Sequence, residues 1–406
     1  MKNSNRRDFL GKSLVGSAGL AIGSSLPGPW LQALARESAN SERVLVVIQL
    51  SGGNDGLNTV IPYRDAAYRQ ARPKLGIPDN EIIRIDDSTG FHPSLAGVHQ
   101  LVEAGRFSVI QGVGYARPNR SHFESMDIWH TCHRKELRHG DGWLGRFIAE
   151  SDQAGPDSLG LHLGHEQQPL ALAARGVQVP TIASIEQFRL KVADEGLVPP
   201  QMLPDEATTP SSDNDLLGFL QTSTQSAIEA SDRLATALKK SDSSSEFPDS
   251  SLGEKLSVIA RLIVAGLSTK VYYVTLDGFD THSQQPLAHA GLLRQWSEAL
   301  NALVGRLEKA GQADRVLVMT FSEFGRRVSE NASQGTDHGA AAPVFLAGAK
   351  LPKPLIGQHP SLTDLDDGDL KFHTDFRSVY ATIVEKWFQA PSQPVLGERF
   401  PLIDLV

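Results

Sequence analysis

The sequence predicts an α/β protein with a mostly parallel central sheet and helices on both faces. Three observations carry this. Apolar residues come in short unbroken runs, not alternating ones, as in strands buried on both faces. Between two of those runs lies a long stretch with apolar residues at three- and four-residue steps, the pattern of an amphipathic helix. Acidic and imidazole residues gather beside the runs, and open parallel sheets bind ligands at the strand ends.

Taken in chain order, residues 1–35 read as an export signal outside the fold. Arg6-Arg7 and Phe9-Leu10 lead into a weakly apolar run, Leu14 to Leu26, and Ala33-Leu34-Ala35 offers a small-x-small cleavage site. The apolar run is too short to span a bilayer. Its Arg-Arg-x-Phe-Leu start resembles signals of the twin-arginine route, whose machinery is the expected export partner. Cleavage there would remove Lys2, Arg6, Arg7, Lys12 and Asp8, moving the net charge from -8 to about -11, with 35 basic residues against 46 acidic. The mature protein is expected in the periplasm or outside the cell. No other segment is apolar enough to cross a membrane. An acidic chain argues against nucleic acid as a partner. The single cysteine, Cys132, rules out a disulfide within the chain and a cysteine-based metal cluster.

Strands are expected at 44–50 (VLVVIQL), 107–113 (FSVIQGV), 271–276 (VYYVTL), 315–321 (RVLVMTF) and 343–347 (PVFLA). Helices are expected at 215–239, 252–268 and 286–309. In the last, Leu292, Leu293, Trp296, Leu300, Leu303 and Leu307 form one apolar stripe, with Pro286 in the first turn and Gly311 past the end. Strand 271–276, this helix and strand 315–321 read as a right-handed βαβ unit. The stretch 203–251 is Ser-rich and acidic and reads as a polar helical insertion in a single domain running from about 41 to 406.

The candidate chemistry follows the strands. "SGGNDG" puts Asp55 after the first. "DGFDTHSQQ" puts Asp277, Asp280 and His282 after the third. "SEFGRR" puts Glu323 after the fourth. "GTDHG" places Asp337 and His338 just before 343–347, and "KFHTDF" adds His373. Carboxylates brought together need a cation or protons, and a mixed Asp/His set suits a divalent ion. Each residue alone also has a plain reading. Asn-Asp-Gly is turn chemistry, an Asp after a strand is often a helix cap, and His122, His130 and His133 read as surface or packing residues. There is no Gly-x-Ser-x-Gly, no His-Glu-x-x-His and no phosphate loop, and "HEQQP" at 165–169 lacks a second His.

The stretches "LSGGNDGLNTVIPY", "RPNRSHFESMDIWHT", "DGFDTHSQQ", "FSEFGRR" and "GTDHGAAAPVFLAG" resemble domain-of-unknown-function family 1501, of the alkaline-phosphatase-like, sulfatase-like superfamily. The resemblance covers nearly the whole mature chain. It implies an alkaline-phosphatase-like fold and two metal pockets holding zinc, manganese, magnesium or calcium. Asp55, Asp337 and His338 would hold one ion. Asp280 or Asp277, with His282 and His373, would hold the other. In the sulfatase frame Cys-x-Pro-Ser-Arg, "ARPNR" aligns Pro118, Asn119 and Arg120 but puts Ala116 where the nucleophile belongs. Ser121 is the nearest hydroxyl, though Ser121-x-x-Glu124 also reads as a capping box. Asn119 would donate to a substrate oxygen and Arg120 would pair with an anion.

The expected function is hydrolysis of phosphate or sulfate esters, with a small anionic ester or a sulfated or phosphorylated glycan as substrate. The alternative is a noncatalytic metal- or anion-binding protein on the same fold, binding a glycan or protein partner.

Overall fold

Strand β1, Val44–Leu50, shows why the sheet is buried on both sides. Its side chains alternate between two apolar clusters: Val44, Val46, Ile48 and Leu50 enter one, Leu45 and Val47 the other. Each side chain so buried contributes about 1.5–3 kcal/mol of transfer free energy. The first cluster is closed by the helices Ala96–Glu103, Ser251–Val264 and Gln285–Lys309. The second is closed by His122–Thr131, Trp143–Glu150 and Phe376–Thr382. The computed structural model describes residues 43–137, 140–151, 158–182, 246–351 and 353–404. The signal segment 1–35, the expected helix 215–239 and most of the expected insertion lie outside them.

Short strands β2 (Val60–Ile61), β3 (Ile83–Arg84) and β4 (Gly90–Phe91) form a small antiparallel sheet of their own. The main sheet takes β5 (Phe107–Gly114), β6 (Gly160–Leu163), β7 (Thr181–Ile182), β8 (Val271–Leu276), β9 (Val316–Phe321), β10 (Ala342–Gly348), β11 (Leu355–Ile356) and β14 (Thr374–Asp375); β12 (Leu365–Asp366) and β13 (Asp369–Leu370) make a hairpin. The order is β11-β5-β10-β9-β1-β8-β6-β7, with β14 also on β5. The five expected strands are all present within one residue at each end, and β1, β8 and β9 are central. β6 and β7 carried no clear apolar run: His162 interrupts one and the other is two residues long.

The sheet is parallel for most of its strands but not all. β10 is antiparallel to both its neighbours, β5 and β9, so an unbroken apolar run did not mean a parallel strand here. Burial on both faces produces such a run whichever way the strand points. β8 and β9 run parallel and are joined by the long helix, as expected, with β1 between them pairing in parallel with each. The connecting helix therefore crosses over β1.

The reversal of β10 has a consequence for the site. In a wholly parallel sheet, a residue preceding a strand lies at the opposite edge from one following its neighbour. With β10 reversed, the loop before it meets the loops after β1, β8 and β9. That brings Asp337-His338 to the edge where Asp280 and Glu323 lie.

Candidate metal centre

The loop after β1 is where the centre starts. Gly52 has φ +116 and Gly53 φ +80. A Cβ on Gly52 would lie 2.3 Å from the Asp280 backbone nitrogen, and one on Gly53 would strike the Phe324 ring. The two glycines let the loop after β8 and the loop after β9 close onto the end of β1. The Gly52 N–H donates to Glu323 Oε1 (2.9 Å). Arg326, fully buried, donates to the Gly53 carbonyl (2.7 Å), the Phe279 carbonyl (3.0 Å) and Asp280 Oδ1 (2.7 Å). One guanidinium thus ties three loops together.

Asp55 does not join them. It is buried and receives Arg72 in a two-pronged pair, Nη1 to Oδ2 at 2.6 Å and Nη2 to Oδ1 at 3.0 Å, with Gln285 Nε2 also donating to Oδ2. Burial alone would raise its pKa; the Arg72 charge and hydrogen bonds more than offset this and hold the carboxyl below its ordinary value. Its oxygens are already satisfied. The expectation that Asp55 reaches a metal is therefore corrected: it anchors its loop to Arg72. His373 is also elsewhere, bonded to Thr374 Oγ1 (3.0 Å) and the Gln358 carbonyl (2.7 Å). Of the two aspartates it is Asp280 whose oxygens lie against the imidazoles.

What does converge is His122, Asp280, His282 and His338. Asp280 Oδ1 lies 3.1 Å from His282 Nε2 and 3.1 Å from His338 Nε2, and Oδ2 lies 3.5 Å from His122 Nε2. His122, Asp280 and His338 each offer a ligand atom within 4.8 Å of the others, the one such group found among the described residues. Each imidazole is held from behind at its other nitrogen. His122 Nδ1 meets Glu323 Oε1 at 2.8 Å, His282 Nδ1 meets Asp337 Oδ1 at 3.2 Å, and His338 Nδ1 donates to the Arg120 carbonyl at 2.8 Å. A carbonyl can only accept, so His338 carries its proton on Nδ1. The same logic with two carboxylates puts a proton on Nδ1 of the other two rings, so each ring in its neutral form offers the Nε2 lone pair inward. His282 Nε2 and His338 Nε2 then face each other at 2.9 Å, and His122 Nε2 has no hydrogen-bond partner among the described residues. Lone pairs at that separation repel unless a cation or proton lies between them.

Electrostatics follow the same lines. Burial pushes the Asp280 carboxyl up, but Arg326 and His338 prevail and hold it at about 2. The hydrogen bond to Glu323 raises the His122 pKa, whereas burial lowers that of His338. The Asn331 hydrogen bond is the main reason Asp337 is depressed. Asp337 therefore backs His282 and is not among the converging ligand atoms. The side chains of Asp280 and His282 are 48% and 43% exposed, so the centre is open on one side, as a site that receives a substrate must be.

His122 is the member that the sequence does not mark, since by sequence it reads as a surface or packing residue. The signal available was its place in the first helical turn after Ser121, beside the frame that matched "ARPNR". His130, given the same reading, is indeed buried, bonded to Gln49 Oε1 and the Tyr273 hydroxyl. Ser121 sits at the helix N-cap with no side-chain capping bond, so the expected capping box is not made from its hydroxyl. Its N–H donates to Asn119 Oδ1 (2.8 Å). The Arg120 guanidinium is already engaged by Asp367 and Asp369 (3.1 and 2.6 Å), which corrects its expected role as a free anion partner.

Fold and site together define a mostly parallel α/β protein with a group that could hold a metal ion, His122, Asp280 and His338, at the strand ends. By sequence, the chain belongs to the family described as protein of unknown function (DUF1501), whose model matches residues 42–386. No curated protein matches the chain by sequence. Among solved structures it is similar to the PsFucS1 sulfatase from Pseudoalteromonas sp., at 12% identity and TM-score 0.38, covering 93% of this chain and 75% of that one. It is also similar to an alkaline phosphatase superfamily protein from Vibrio parahaemolyticus, at 9% identity and TM-score 0.39, covering 88% and 70%. A third is the C-terminal periplasmic domain of EcEptC from Escherichia coli in complex with Zn, at 10% identity and TM-score 0.36, covering 76% and 73%. None of these scores reaches 0.5, and the chemistry that follows rests on this chain's own side chains. No helix among the described residues is long and apolar enough to cross a membrane.

Proposed function

We propose that the protein is an exported metal-dependent hydrolase of phosphate or sulfate esters, with His122, Asp280, His282 and His338 holding a divalent ion. The observation that carries this is the pair of Nε2 atoms at 2.9 Å with their Nδ1 atoms committed to acceptors. Three imidazoles and a carboxylate suit zinc or manganese. When bound, such an ion polarises an ester oxygen and acidifies water. Glu323, Asp337 and the Arg120 carbonyl orient the imidazoles. Ser121, exposed and next in the chain to His122, supplies a hydroxyl, and Asn119 holds its backbone in place. Export by the twin-arginine route and a periplasmic or extracellular location belong to the same proposal.

The test is metal analysis of the purified mature protein, then a panel of phosphate and sulfate esters. Bound metal together with ester cleavage that is lost in His338→Ala supports the reading. A protein that takes up no zinc or manganese and cleaves nothing ends it. The noncatalytic reading is favoured by one observation, the methyl group of Ala116 in the nucleophile's place. Metal binding with no cleavage, unaffected by Ser121→Ala, would select it.

A further inference from the structure

Beside the centre lies an open cleft of about 690 Å³, within the range that holds a small organic ligand. The cleft and the centre share a wall. Arg120 lines the cleft with its side chain while its carbonyl holds His338, Asn119 lines it while positioning Ser121, and Ala340 lies two residues beyond His338. The charged lining is balanced: Arg117, Arg120 and Lys371 against Asp366, Asp367 and Asp369. Much of that charge is paired internally, Arg120 with Asp367 and Asp369, and Lys371 with Asp364. An anion there would meet three carboxylates, and a cation three basic groups. What such a lining recognises is a neutral ligand whose groups both donate and accept hydrogen bonds, which is the property of a hydroxyl.

Two further features point to a ligand. Asp369 is 2% exposed; its Oδ2 takes Arg120, while its Oδ1 makes no hydrogen bond and faces Arg327 Nε at 3.8 Å. Burial raises its carboxyl pKa despite that Arg120 contact. Arg117, also in the lining, holds φ +53, a strained backbone for a residue with a side chain, and such strain persists where the surroundings impose it.

We propose that this cleft is a subsite for a polyol or sugar: the hydroxyl-rich alcohol portion of the ester whose charged group sits at the metal centre. The proposal rests on the hydrolase reading for the ester, but the binding of the neutral portion stands by itself. The experiment measures binding of D-galactose and D-glucitol to the mature, metal-loaded protein by saturation-transfer NMR. It compares the wild type with Asp366→Ala and Arg117→Ala, both on exposed cleft positions outside the centre. Wild-type binding in the millimolar range is expected, weakened about tenfold by each variant, as for loss of one hydrogen bond to a charged group, with zinc affinity unchanged. Absence of binding to the wild type, or equal binding by both variants, overturns the proposal. Sugar binding that depends on these residues in a protein that cleaves no ester removes the hydrolase reading and keeps the subsite.

Discussion

Asp55 and His338 show how differently two polar residues at one sheet edge are used. Asp55 is matched by Arg72 within the interior. Changing it to Asn leaves the Arg72 charge buried with half its partner gone. The expected cost is about 3–5 kcal/mol, as for breaking a buried pair from one side, read by urea unfolding. The folded fraction should bind zinc like the wild type, which a ligand mutant would not. The pH dependence has a definite sign. The folded pKa of Asp55 lies below the ordinary carboxylate value, so its stabilising contribution is fully present above that ordinary value. It is lost as pH falls through the folded pKa. Acid titration of stability should therefore show a loss in the wild type that is reduced in Asp55→Asn. At the centre, His338→Ala and His122→Ala should each weaken zinc binding strongly, and His373→Ala should not. Glu323→Gln, acting through His122 and through the Gly52 N–H that it holds, should cost about 10–100-fold in affinity, measured by competition with a chelating dye.

Individual elements explain why the loops meet. The glycine pair after β1 is a spacing device. Gly52→Ala puts a Cβ 2.3 Å from the Asp280 nitrogen at a backbone angle of +116°. Strain of about 1–3 kcal/mol is expected from the backbone alone. Because the displaced neighbour is Asp280 itself, zinc affinity should fall along with melting temperature. A variant that loses stability but keeps full affinity would show that the loop after β8 is placed independently of β1. The reversed strand β10 is the second device, since it delivers His338 to the same edge, where the Arg326–His338 backbone bridge holds it.

For the whole molecule, the expected consequence of a bound ion is a coupled stability. A ligand that binds only the folded chain stabilises it by about 2.7 kcal/mol at a hundred times its dissociation constant. Chelator should accordingly lower the melting temperature of the mature protein and zinc should restore it, and His338→Ala should abolish the difference. The N-terminal segment makes a separate prediction. Replacing Arg6 and Arg7 with Lys should hold the precursor inside the cell. Unchanged export of that double variant would exclude the twin-arginine route.

The sequence by itself determined the strands and their centrality, because burial on both faces writes an unbroken apolar run that needs no knowledge of neighbours. β1, β8 and β9 were legible for that reason, and so was the helix Gln285–Lys309 from its stripe. It also marked Asp280, His282 and His338 as chemistry at a strand edge. Only the tertiary structure decided the direction of β10, since an apolar run is the same read either way. Only the structure separated Asp55 from the set, because Arg72, 17 residues further on, carries no local mark of its partner. And only it recruited His122: one imidazole at a helix start becomes part of a centre when Glu323, from the loop after β9 and 201 residues away, fixes the far side of its ring.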